Sequence, residues 1–258
     1  MNEGLNNIIM KKDGKCFWII FNRPSKKNAI NFQMYDLILE ALDNAENDPE
    51  IMMTIFTGKG EYYSSGNDFS MNSFSMLVDN PKLKNVYAKL VDKLINHSKI
   101  LIALVNGPAI GIACTTLTIF DLVLSSDKAY FYTPFTSLGL SPEGCSSFLM
   151  PQILGYPKAA QLIIFSHKMS AEEAYIGGLV SSIYKDNEFM KKCTERIKRY
   201  EKTLCMDSMI TSKNMMRGKT IRDKLMAINK YEKEILNKQM EKEECQVFLM
   251  EKFMKSKL

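Results

Sequence analysis

One carboxylate, Glu143, stands in strongly apolar sequence, with Phe131, Phe135, Leu138, Leu140, Phe148 and Leu149 around it. Desolvation in such company raises a carboxyl pKa toward the range useful to a general base. Upstream, Gly107-Pro-Ala-Ile-Gly111 turns the chain sharply, and Ile112–Ile119 reads as a short buried helix beginning at that turn. A helix start leaves backbone N–H groups unpaired and mildly positive, a place suited to a phosphate or a developing oxyanion. A donor turn and a lone buried acid are what proton transfer beside a carbonyl requires. Glu143 also has a structural reading, in which Ser141 caps a helix and Pro142 takes its first position. An acid beside them suits the helix dipole. The two readings are compatible, and periodicity does not separate them.

Other chemistries are poorly served. His97 falls on a helix face with Leu90 and Leu94, and His167 follows Ser166 in a loop, so both read as structural. Ser64-Ser65-Gly66 lacks the Gly-x-Ser-x-Gly elbow of a serine hydrolase. Gly107 and Gly111 do not complete a dinucleotide fingerprint, and no Gly-Lys-Ser/Thr phosphate loop occurs. The six cysteines form no CxxC pair and no metal-ligand spacing, which reads as free thiols in a reducing compartment.

The elements that must position these groups alternate. Ile8–Lys12 and Lys15–Asn22 are apolar runs joined by Asp13-Gly14, a hairpin signal. Asn31 can cap a helix whose Tyr35, Ile38, Leu39 and Leu42 keep helical spacing. Strands follow at Ile51–Thr57 and Lys99–Asn106, the second a fully apolar run expected to be buried on both faces. Between them come a Gly/Ser/Asn loop from Gly58 to Met71 and a helix over Leu83–His97. Asp121–Ser125 and Ala129–Thr133 read as strands, Ser146–Leu154 and Lys158–Phe165 as helices, and Ser170-Ala-Glu-Glu173 as a capping box before a strand at Leu179–Ile183. From Asn187 the pattern is helical, with Ile221, Ile228 and Ile235 every seven residues behind a Thr220-x-x-Asp223 box. The reading is an α/β core over residues 1–195 and a helical region over 196–258 with a trimerisation or lid role.

Composition adds limits. The 258 residues are 46% hydrophobic and 24% charged, an ordinary soluble mix. The net charge of +5 arises from Lys and Arg alternating with acids, which reads as solvated helix faces and not a nucleic-acid groove. No signal-peptide pattern and no membrane span are read. Ser256-Lys257-Leu258 matches the peroxisomal import tripeptide, so the import receptor is an expected partner and the peroxisomal matrix the expected location.

Two segments carry a resemblance. Ser64-Ser-Gly-Asn-Asp68, followed by Asn106-Gly-Pro-Ala-Ile-Gly111, resembles the paired oxyanion-hole signature of the crotonase (enoyl-CoA hydratase/isomerase) superfamily, and Arg23-Pro-Ser-Lys-Lys-Asn-Ala29 fits its strand-to-helix entry. Thr133-Pro-Phe135 and Leu140-Ser-Pro-Glu-Gly-Cys145 resemble the peroxisomal Δ3,Δ2-enoyl-CoA isomerases. The resemblance implies a spiral of ββα repeats, a trimer or dimer of trimers, and a fatty enoyl-CoA substrate. No metal or redox cofactor is expected; coenzyme A enters as part of the substrate. An acyl-CoA-binding domain, which relatives in the group can carry upstream, is not expected here.

Carried over by position, the backbone N–H groups of Ser65 and Ile112 would hold the thioester oxygen, and Glu143 would be the base, with Asn106 orienting it. The two glutamates a hydratase needs fall on Thr115 and Phe135, so water addition should be poor. Lys26, Lys27, Asn28 and Ala29 would contact the CoA adenine or phosphates, against a reading of Lys26 and Lys27 as a solvated loop. Ser64, Gly66, Asn67, Asp68, Gly111 and Phe135 would complete the substrate site, and Phe74, Met76 and Leu77 the acyl tunnel. Competing readings are a thioester hydrolase or dienoyl-CoA isomerase of the same superfamily, or a non-catalytic acyl-CoA-binding subunit.

Overall fold

The Asp13-Gly14 turn makes the hairpin its sequence signals, joining β1 (Ile8–Asp13) to β2 (Cys16–Phe21) in antiparallel register. The computed structural model describes residues 7–68 and 85–255. β2 pairs in parallel with β3 (Met53–Gly58), β3 with β4 (Ile100–Val105), β4 with β6 (Leu122–Ser126) and β6 with β9 (Ser182–Tyr184). A second, smaller sheet orders β5 (Ala109–Ile110), β7 (Tyr130–Tyr132) and β8 (Met169–Ser170).

The chain alternates between the two sheets and then adds a helix. β4 in the large sheet leads to β5 in the small one and then to α3 (Ile112–Thr115); β6 and β7 repeat the step before α4 (Ser146–Leu154) and α5 (Tyr156–Ile163). Earlier turns follow the same path. β2 and Ile30 precede α1 (Phe32–Asn47), and β3 and Ser64–Asn67 precede α2 (Val86–Asn96), with bridges Ile30–Asn67 and Ser64–Ala109 extending the small sheet. This is the expected ββα spiral.

Burial on both faces explains the unbroken apolar strands. Ile100, Ile102 and Leu104 face one way with Phe189, Cys193 and Ile197 of α7 (Phe189–Thr203), while Leu101, Ala103 and Val105 face α1, α2 and the small sheet. Asn31 caps α1 by accepting from Met34 N at 2.9 Å, and Ser170 and Glu173 complete their capping box on α6 (Ala171–Ile176). His97 ends α2 in a buried structural role, its Nε2 2.8 Å from Thr54 Oγ1 and its Nδ1 2.9 Å from Glu46 Oε2.

Several expectations shift. The strand read at Leu179–Ile183 lies at Ser182–Tyr184, because Leu179 and Val180 are buried as the chain returns to the sheet. Residue 195 falls inside α7, whose apolar face packs on the large sheet, so the core runs on through Thr203. After α8 (Met206–Met216), α9 (Lys219–Met240) starts at Gly218 with no side-chain cap; Thr220 is already helical, and Asp223 instead pairs with Lys219 at 2.6 Å. Of the seven-residue isoleucine row only Ile228 packs against the core of this chain: Ile221 and Ile235 are exposed, while Leu225, Asn229, Glu232 and Leu236 are buried. A heptad finds an apolar stripe, but buried polar residues define the packed face here. α10 (Glu243–Lys255) follows. Phe74, Met76, Leu77 and Ser256–Leu258 lie outside the described residues. Among the described residues no helix is long and apolar enough to cross a membrane.

Candidate active site

Two glycines bring the paired motifs together. Gly66 has φ +83°, and a Cβ built there would meet Ile110 O at 2.6 Å and Gly111 Cα at 3.5 Å. Only a residue without a side chain lets these backbones approach so closely. The 64–67 segment is gripped on one flank by β5, through Ser64 N to Pro108 O and Ile110 N to Ser64 O, and on the other by the loop before α1.

That grip decides which N–H groups remain available. Ser65 N–H donates to Lys27 O at 2.9 Å, so it does not face a ligand, contrary to the sequence expectation. Ile30 N–H donates to Gly66 O and Asp68 N–H to Ile30 O. In a parallel bridge of that kind the intervening N–H points to the opposite flank. The intervening residue is Asn67, and its N–H therefore faces the Gly111 side. Among the described residues no acceptor meets the N–H of Asn67 or of Ile112.

Glu143 is not in a helix. α4 begins at Ser146, and Gly144 and Cys145 before it both adopt left-handed backbone, φ +71° and +61°. The expected cap by Ser141 and Pro142 therefore does not form. The helix start is served instead by Glu232 from α9, whose Oε2 accepts from Cys145 N at 2.7 Å and Oε1 from Ser147 N at 2.9 Å. Glu143 is 3% exposed, and among the described residues no group donates a hydrogen bond to its carboxyl. Burial, followed by the charge of Glu232, pushes it up to about 8.

Glu143, Ser65, Asn67 and Gly111 line one cavity of about 290 Å³. Its other walls are mostly apolar: Ile30 and Phe32 from the first turn, Phe135, Leu138 and Leu140 from the loop after β7, Leu236 and Met240 from α9. Three hydroxyls interrupt them. Tyr35 donates to Asn67 Oδ1, while the buried hydroxyls of Tyr87 and Ser141 meet no partner among the described residues. Thr115 packs against Gly144, the residue after Glu143: a Cβ on Gly144 would lie 2.7 Å from its Oγ1. Among the described residues no group of His, Cys, Asp or Glu is placed to hold a metal ion.

Other sequence candidates have structural work. Asn106 accepts from Gly58 N at 2.9 Å and donates to Gly60 O at 2.8 Å, so it pins the loop after β3 and does not orient Glu143. Asn28 and Ser64 are fully buried and cannot touch a CoA moiety. Asn28, at φ +55°, accepts from Arg23 N and donates to Lys59 O and Tyr62 O. Asn28→Ala strands three partly buried backbone groups and is expected to cost about 2 kcal/mol, read as a lower urea midpoint at unchanged m-value. Lys26 and Lys27 are exposed, with the Lys27 ammonium 5.4 Å from the Tyr62 ring centre; Ala29 is partly buried. Asp68 borders the cavity and pairs with Arg23 at 2.6 Å. Glu232 escaped the sequence reading because Tyr231-Glu-Lys-Glu234 looks like a solvated face. Tyr35 reads only as a helix-face residue, and Tyr87 carries no signal of its own within the Leu83–His97 helix.

The enoyl-CoA hydratase/isomerase family model matches residues 12–256. The chain belongs to this family. Enoyl-CoA delta isomerase 2 of Rattus norvegicus is 44% identical over 241 residues, covering 92% of this chain and 61% of the rat protein, so the chain spans about three fifths of that relative. A Mus musculus protein, enoyl-CoA delta isomerase 3, peroxisomal, is 42% identical over 94% of this chain and 76% of its own length. The crystal structure of an enoyl-CoA hydratase/isomerase from Pseudoalteromonas atlantica superposes with a TM-score of 0.88 at 27% identity, covering 97% of this chain and 98% of that one.

Proposed function

We propose that the protein is a Δ3,Δ2-enoyl-CoA isomerase acting on fatty enoyl-CoA esters. The observation that carries this reading is a buried carboxyl without a hydrogen-bond donor, Glu143, sharing a mostly apolar cavity with the Asn67–Gly111 junction. A thioester acidifies the C2 proton of a 3-enoyl chain. Glu143 as carboxylate removes that proton, and the electron pair delocalises onto the thioester oxygen as a dienolate. The N–H groups of Ile112 and Asn67 hold that oxygen, Asn67 taking the place first expected of Ser65. The same carboxyl then returns the proton at C4, leaving a 2-trans double bond. One acid serves both steps by reaching C2 and C4 from one face of the substrate.

Thr115 and Phe135 supply no second acid or base, which favours isomerisation over hydration. The CoA moiety enters with the substrate and no further cofactor is consumed. Lys26, Lys27, Ala29 and Asp68 are the groups proposed to meet it. The exposed Ile221 and Ile235 of α9 are proposed to pack in a trimer.

The deciding experiment assays purified protein with 3-trans- and 3-cis-enoyl-CoA. Formation of the 2-trans product supports the reading; protein that binds the CoA ester without turnover refutes it. We also propose a peroxisomal location through the terminal tripeptide. Deleting Ser256–Leu258 from a fluorescent fusion is then expected to disperse it into the cytosol, and unchanged punctate import would refute the location.

A further inference from the structure

The backbone that carries Glu143 is held in a costly conformation. Gly144 and Cys145 are consecutive left-handed residues, and Cys145 bears a side chain, which is uncommon in that region. Such geometry persists where surrounding contacts over-determine it. Ser146 Oγ donates to Glu143 O at 2.6 Å, and Cys145 Sγ to Leu225 O at 3.3 Å. The strongest contacts are those of Glu232. Its carboxylate spans the turn, with one oxygen on Cys145 N and the other on Ser147 N, at the positive start of α4. Glu232 is 3% exposed, so a buried carboxylate from α9 is committed to a turn that begins at the residue after the base.

We propose that Glu232 is a positioning residue for Glu143: it locks the Gly144–Cys145 turn and holds its carboxylate, on two backbone N–H groups, near the base. The catalytic consequence rests on the isomerase reading above; the structural coupling does not. Among the described residues, the titratable groups that act on Glu143 or feel its charge are Tyr35 from α1, Tyr87 from α2 and Glu232 from α9. The two tyrosines are held neutral by burial; burial also raises the Glu232 carboxyl, while the N–H groups of Ser147 and Cys145 on its two oxygens favour its ionised form, so Glu232 is the neighbour that brings charge. A negative charge beside a carboxyl disfavours its ionised form.

The test compares wild type with Glu232→Gln and Glu232→Asp. Gln keeps the length but removes the charge and one acceptor; Asp keeps the charge but withdraws it by one methylene. Glu143 is titrated by ¹³C-carboxyl NMR, assigned with Glu143→Gln, and kcat, KM and the melting temperature are followed in parallel. In Glu232→Gln the Glu143 midpoint is expected to fall by about one pH unit, moving the acidic limb of kcat/KM with it. kcat is expected to fall roughly tenfold or more with KM within about twofold. In Glu232→Asp the midpoint stays near wild type while kcat still falls, because the turn loosens. A lowered melting temperature with an unmoved midpoint in Glu232→Gln marks a merely structural cap and overturns the proposal, as does an unchanged kcat in both variants. If Glu232→Gln does not fold, wild-type kcat in Glu232→Asp overturns it. Should wild type show no isomerase activity, the functional reading falls, while the NMR midpoints still decide whether Glu232 sets the state of Glu143.

Discussion

Replacing Glu143 with Gln is expected to lower kcat for 3-enoyl-CoA isomerisation by roughly 10³-fold while CoA-ester binding stays within a few-fold. The amide fills the same volume in the cavity but cannot accept the C2 proton. The wild-type pH profile follows from the same group. With its pKa pushed up to about 8 by burial and Glu232, Glu143 is the required carboxylate only toward alkaline pH, so kcat/KM should fall about tenfold per unit below that midpoint. Stability should move the other way. The folded protein holds a proton on Glu143 that the unfolded chain, near the ordinary 4.5, releases. Between those values the native state binds more protons, so stability is greatest below the lower value and declines as pH rises through the upper one. At 1.36 kcal/mol per unit the full decline is on the order of 5 kcal/mol. Glu143→Gln removes that penalty. Thermal melts should show little difference from wild type at pH 4, and a variant that gains on wild type through pH 6 up to pH 9. Full turnover in Glu143→Gln would place the base elsewhere, and an unchanged melting difference across that range would contradict the buried, proton-holding carboxyl.

Local signals carried the fold because they agree with the packing. The Asp13-Gly14 hairpin, the Asn31 cap, the Ser170–Glu173 box and the apolar Ile100–Val105 strand each have one cheap physical solution, and each takes it. The site was legible in residue type and less so in role. Glu143 stood out by its apolar neighbours, yet the same Ser-Pro-Glu pattern mimics a helix start that two left-handed residues prevent. Ser65 and Asn67 are two apart on one extended segment. Telling which N–H is free requires knowing that Lys27 and Ile30 flank it, a long-range fact. Asn106 and Asn28 look like ligand-binding residues because they are polar in a motif, but buried turns need such side chains as partners for their own backbone. Glu232 lies 89 positions beyond Glu143 on a helix of alternating charges, and nothing local distinguishes it from Glu234.

Gly66→Ala is expected to lower kcat by about 10²–10³-fold, the loss associated with one oxyanion donor. Two costs arise at this position. An alanine resists φ +83°, which is worth about 1 kcal/mol, and its Cβ would sit 2.6 Å from Ile110 O, which real contacts do not allow. The clash is against backbone held on both sides, so the relief has to come from the 64–67 segment sliding away from Gly111. That motion carries the Asn67 N–H away from the Ile112 N–H, and two donors that must meet one oxygen no longer do. Gly155→Ala separates strain from clash: Gly155 has φ +75°, but an added Cβ there meets nothing within 4 Å. It should lose a similar increment of stability and keep its turnover. Steady-state kinetics and urea unfolding on the two variants therefore discriminate. If Gly66→Ala loses only stability, as Gly155→Ala should, the Gly66–Gly111 contact does not set the donor pair, and the oxyanion site must be built from other N–H groups.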